Sequence, residues 1–174
     1  MLSTSVEVTA RVQHVKIAEI KTGTTGVLKA TLGSCVALGL INHKTGVCGM
    51  AHCLLATSPN GTRIDNARYV DQALPNLFRA VCGETASRRH LTGFIAGGAH
   101  MIGHIDNNRP AVGDFNLDAA RVAFKTHRIP FAELATGGMR GYNVVLNCAT
   151  QSFSYSYIDP MSQDSQGSSR GTDE

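Results

Sequence analysis

Cys35 stands directly behind Gly33-Ser34 at the head of the apolar run VALGLI, and His52 closes the run VCGMAH seventeen residues further on. A thiol and an imidazole are the two halves of a nucleophile–base pair. The imidazole takes the thiol proton and later returns it to a leaving amine. As an imidazolium it also favours the thiolate. Small residues before such a cysteine, here Gly33 and Ser34, permit a tight turn that exposes sulfur and aims backbone N–H groups at a developing oxyanion. The competing reading is plain packing, because free cysteine is among the most buried residue types and usually behaves as a small hydrophobe. The residue types alone leave both readings open.

For the two side chains to meet, the runs must form a hairpin. Val36–Ile41 and Val47–Leu54 read as strands joined around HKTG. With a loop of two or four residues, paired positions sum to an odd number. Cys35 then lies opposite His52 or one pair away, and both side chains leave one face. Directly opposite Cβ atoms are about 4.5–5.5 Å apart. A loop of odd length without a bulge would separate them onto opposite faces.

Further strands are expected at Val6–Val12, His14–Ile20, Val27–Thr31, Leu91–Ala96, Phe131–Ala135, Tyr142–Asn147 and Phe153–Ile158. Helices are expected at Asn66–Cys82 and Asp114–His127, the second with Asp114 or Asn116 as N-cap. Pro75 predicts a kink or a late start in the first. Many strands and two long helices give an α+β fold, with packed mixed β-sheets flanked by the helices. Gly97-Gly98 and Gly137-Gly138 are suited to turns or close backbone approach; no Lys-Ser/Thr follows them, so neither is a phosphate loop.

The 174 residues suit one domain, read as 1–158, followed by a polar Gly/Ser-rich tail, 159–174, that buries too little surface to order. ATSPNGTRID, after His52, is a second mobile candidate. No apolar run reaches membrane-spanning length, and MLSTSVEVTARVQHV lacks the apolar core of a signal peptide, so a cytoplasmic protein without membrane insertion is expected. A net charge of +3 with no basic block gives no support to nucleic-acid binding. Five irregularly spaced cysteines suggest reduced thiols. Zinc is the sharpest chemical competitor, since Cys48, His52, Cys53, His100 and His104 are ligands of the right kind. Their spacing is poor, with no Cys-x-x-Cys and with His52 and Cys53 on opposite faces of one strand, so no metal is expected.

Gly33-Ser34-Cys35 followed by GMAH ending at His52 resembles the CheD family of chemoreceptor glutamine deamidases. The likeness continues through RYVDQA (Arg68–Ala73), AGGAHM (Ala96–Met101), VGDFN (Val112–Asn116) and TGGMRG (Thr136–Gly141), in order, over about Val12 to Asn147. The resemblance implies a fold similar to cytotoxic necrotizing factor deamidases, with Cys35 as nucleophile, His52 as base and no cofactor. It implies hydrolysis of receptor glutamine amides to glutamate, and of receptor methyl esters by the same acyl chemistry. It also implies methyl-accepting chemoreceptors as partners, a possible CheC-type phosphatase partner, and a monomer. The family pattern T-L-G-L-G-S-C puts a histidine-orienting threonine six residues before the cysteine, where this chain has Lys29; Thr31 stands four before. Thr31 is taken as the third catalytic residue, with Lys29 and a backbone carbonyl as alternatives. A binding module that keeps the fold without the activity is the second reading.

Overall fold

The computed structural model describes residues 11–83, 87–100 and 110–158. The expected tail, most of the expected strand Val6–Val12, and His104 lie outside them. Among the described residues, nine strands and two α-helices follow in the order β1 (Val12–His14), β2 (Ile20–Gly23), β3 (Val27–Leu32), β4 (Val36–Asn42), β5 (Cys48–Cys53), α1 (Val70–Cys82), β6 (Leu91–Gly97), α2 (Val112–Thr126), β7 (Phe131–Thr136), β8 (Tyr142–Asn147) and β9 (Ser152–Tyr157). They form two mixed sheets, ordered β1-β3-β8-β9 and β2-β5-β4-β6-β7. The fold is α+β, as the strand and helix patterns indicate.

The layers follow from strand parity. β4 and β5 are buried along their whole length, so both faces must be covered. Val36, Leu38 and Leu40 leave one face of β4 and pack with Leu74, Leu77, Leu117 and Phe124 of the two helices. Ala37 and Ile41 leave the other face and meet Leu28, Ala30 and Leu32 of β3 and Val144 and Leu146 of β8. The order of layers is therefore helices, five-stranded sheet, four-stranded sheet. The Phe94 ring lies between the sheets, 4.9 Å from the Phe153 ring centre to centre. It rests on Gly39, where a Cβ would stand 1.9 Å from the Phe94 ring carbon Cε1.

Two expectations about elements change. The single strand His14–Ile20 is instead the end of β1, a turn, and the start of β2, and the two strands belong to different sheets. The break falls at Ala18, which takes the left-handed conformation at φ +68°. Hydrophobic alternation runs through this stretch because Val15 is still buried, and alternation cannot register that the chain changes sheet. Helix α1 starts at Val70 rather than Asn66. Before it, the Asn66 side chain accepts the Arg68 N–H, and the Arg68 carbonyl accepts the N–H groups of Leu54 and Leu55. Pro75 then sits in the second turn. The loop ATSPNGTRID is tied to α1 through the Gln72 amide, which donates to Ser58 Oγ at 2.7 Å and to the Thr62 carbonyl at 2.6 Å.

Candidate active site

β4 and β5 form the hairpin, closed by the four-residue loop His43–Gly46 between the bonded pair Asn42 and Val47. The register pairs Ala37 with His52 and Val36 with Cys53. Extended by one residue, it sets Leu54 opposite Cys35 and leaves His52 one pair away on the same face. That face looks toward the four-stranded sheet, and Cys35 belongs to the core between the sheets. Cys53, one residue on, points to the helix side.

His52 is buried, and its Nδ1 lies 3.0 Å from the Val15 carbonyl oxygen. A carbonyl only accepts, so Nδ1 carries the proton and Nε2 keeps its lone pair. Nε2 is itself buried and has no hydrogen-bond partner among the described residues. The turn between β1 and β2 supplies the carbonyl: Val15 N–H donates to Lys29 of β3, and Ala18 N–H donates to the His52 carbonyl. The same turn therefore holds both the ring and the main chain of His52.

The Cys35 main chain is held from the loop after β6. Gly98 N–H donates to the Cys35 carbonyl and Ala99 N–H to the Gly33 carbonyl, both at 2.8 Å. A regular ladder would return the Cys35 N–H to the Gly98 carbonyl. Gly97 and Gly98, at φ +100° and +70°, turn that carbonyl toward the first turn of α2, where it faces Gly113. Among the described residues the Cys35 N–H consequently donates to no backbone carbonyl. Its influence on the thiol of its own residue is to favour the thiolate. Gly97 is obligatory on a second count, since a Cβ there would stand 2.3 Å from the Cys35 carbonyl oxygen.

Burial dominates the electrostatics. It pushes the Cys35 thiol up, with its own N–H opposing in part. It pushes the His52 imidazole down, opposed by the Val15 carbonyl and the Glu19 carboxylate. Desolvation thus opposes charge on both groups and favours the thiol and the neutral imidazole over the imidazolium beside a thiolate that the residue types suggest. Such a pair acts by proton transfer when the nucleophile attacks.

Thr31 is not brought to the site. β3 buries Leu28, Ala30 and Leu32, so Lys29 and Thr31 leave its other face. The exposed Thr31 hydroxyl donates to Asn143 Oδ1 at 2.8 Å. The parity shared by positions 29, 31, 33 and 35 fails because the strand ends at Leu32, and Gly33-Ser34 carries the chain into the other sheet. Of the three alternatives for the histidine's partner, the backbone carbonyl is the one present. Among the described residues, which do not include His104, no three metal-ligating side chains cluster. His100 instead pairs with Asp114 of α2 at 2.8 Å.

Sequence reasoning did not settle two contributors. The Val15 carbonyl carries no side-chain signal. Asn116, expected as a cap with a family-based role near the substrate as the alternative, is fully buried within α2, with Ala111 as the residue before the helix. Its Nδ2 donates to the carbonyls of Ser34 and Leu54, both at 3.0 Å. Beyond Asn116, an apolar groove of about 430 Å³ lies between Leu55–Thr57 and the α2 residues Val112, Phe115 and Ala119.

The layers and the hairpin define an α+β protein with a buried thiol and a buried imidazole on one sheet face. The family model for CheD, chemotactic sensory transduction, matches residues 54–156. That span begins just beyond the hairpin that carries Cys35 and His52. A Ruegeria protein named "Probable chemoreceptor glutamine deamidase CheD 2" is 32% identical over 153 residues, covering 78% of this chain and 86% of the relative. A Bdellovibrio bacteriovorus relative with the corresponding CheD name is 35% identical over 130 residues, covering 74% and 83%. One from Thermococcus kodakarensis is 34% identical over 128 residues, covering 72% and 80%. The chain belongs to the CheD family.

Proposed function

We propose that this protein deamidates glutamine side chains of chemoreceptors, with Cys35 as nucleophile and His52 as base. The observation that carries the reading is His52 itself: one ring nitrogen is tied to the Val15 carbonyl, and the other is left free on the face that Cys35 shares. Family membership supplies the substrate class, since the relatives are named for receptor glutamines.

The reaction proceeds in two halves. Sγ attacks the carboxamide carbon while its proton moves to His52 Nε2. The carbonyl oxygen takes the negative charge and is met by the Cys35 N–H. The C–N bond breaks as Nε2 passes the proton to nitrogen, releasing ammonia and leaving a thioester. Water then gives a proton to Nε2 and attacks the thioester; the C–S bond breaks, Nε2 returns the proton to sulfur, and glutamate is released from the restored thiol. A methyl ester would follow the same route with methanol leaving. The reading takes the protein as a monomer acting on receptors, with a CheC-type phosphatase as a second partner.

Incubation with receptor cytoplasmic fragments should release ammonia and add about one dalton per converted glutamine. Cys35→Ala should abolish both and leave the melting temperature nearly unchanged. A parent protein that binds the fragments without converting any glutamine would be the inactive binding module instead.

A further inference from the structure

We propose that Asn116 is a positioning residue: its carboxamide clamps the Ser34 and Leu54 carbonyls and so aims the Cys35 N–H at the oxyanion. This rests on the cysteine-hydrolase reading above. Asn116 lies on the inner face of α2, fully buried. Its single –NH2 group has two hydrogens, and the Ser34 and Leu54 carbonyls, each at 3.0 Å, account for both. The two acceptors sit on the diverging ends of the β4–β5 hairpin, so the clamp holds the hairpin's open end where Cys35 begins.

The geometry of one peptide unit does the rest. Every described peptide bond is trans. In a trans peptide the C=O and N–H point in opposite directions within one plane. Ser34 C=O and Cys35 N–H belong to the same unit. Asn116 draws the carbonyl toward the helix layer, so the N–H must face away from it, toward the sulfur. The carbonyls on either side are already held by Ala99 and Gly98 N–H. Three successive carbonyls are thereby fixed, and the Cys35 N–H, in the same peptide unit as the middle one, is left to serve the reaction.

Packing alone does not account for an amide at this position. Asn116 Oδ1 is buried with no partner among the described residues, a cost that an apolar side chain would avoid. Without the clamp the half-buried Ser34 carbonyl would lose its donor, and the peptide plane could rotate to find another. That rotation would carry the Cys35 N–H with it.

The test compares two reactions of the same sulfur in a Cys82→Ser background, which removes the half-buried thiol of Cys82. In acylation by p-nitrophenyl acetate, sulfur bonds to the acetyl carbon, the thiol proton passes to His52 and nitrophenolate leaves through an oxyanion. Alkylation by iodoacetamide displaces iodide and develops no oxyanion. Asn116→Ala and the nearly isosteric Asn116→Asp, which offers no donor as a carboxylate, should slow acylation about tenfold or more. Alkylation should change less than about threefold. Equal loss in both reactions would make Asn116 a packing residue only, and no loss in either would also overturn the proposal. In the unsubstituted protein, NMR should show the Asn116 amide protons exchanging slowly with solvent. Exchange at the rate of a free amide would overturn the clamp even if neither variant folds. Should the parent leave receptor glutamines unchanged while the two rates still separate, the clamp stands and the deamidase reading falls.

Discussion

Because His52 Nδ1 donates to a main-chain carbonyl, no side-chain substitution at the partner can release the ring. Thr31→Val should therefore leave receptor deamidation within about twofold of the parent, since its hydroxyl faces Asn143 on the outer sheet face. A loss of orders of magnitude in that variant would show that Thr31 reaches the site during turnover. His52→Ala should lower kcat by about 10²–10⁴, the usual contribution of a positioned base. The pH dependence follows from burial. His52 titrates below its ordinary 6.5, so the rising limb of kcat/KM against pH should lie below that value. Cys35 should also react first among the core thiols. Burial pushes Cys48 up to about 12, and it raises the fully buried Cys53 further. Mass mapping after a limiting iodoacetamide dose at neutral pH, again in the Cys82→Ser background, reads that order; Cys48 labelled ahead of Cys35 would contradict it.

Between elements, the loop after β6 is the part least tolerant of change. Gly97→Ala combines a left-handed φ with a Cβ that would overlap the Cys35 carbonyl oxygen. Strain of that kind costs about 1–3 kcal/mol. In a chain of this length each kcal/mol lowers the melting temperature by roughly 2–4 °C. Calorimetry of Gly97→Ala should show a drop of several degrees. A stable variant would mean that the loop can retreat from Cys35 without penalty. The hairpin itself was readable beforehand, because strand period and a four-residue loop fix parity whatever surrounds them. The third residue was not. Parity was extended from β3 through Gly33-Ser34, and a chain that crosses between sheets does not preserve it.

For the whole molecule, the buried histidines tie stability to pH. The folded-state pKa of His52 is depressed mainly by burial, as is that of the partly buried His127, where Arg88 adds to it. The unfolded chain then binds more protons, so stability is fully present above about 6.5 and is lost as pH falls through the depressed values. Denaturation midpoints measured from pH 8 to 5 should decline, and His52→Gln should flatten part of that decline. An unchanged slope would mean that His52 is not buried in solution. By itself the sequence determined the α+β class, the central strands, the two helices, the shared face of Cys35 and His52, and the likeness to CheD. Each of these depends on local period, on hairpin parity or on motif order. Only the tertiary structure decided that the Val15 carbonyl orients His52, that Asn116 faces inward rather than capping α2, and that Gly97-Gly98 free the Cys35 N–H. Those contacts join segments distant in sequence, each with a main-chain group on at least one side, and main-chain groups leave almost no mark on residue type.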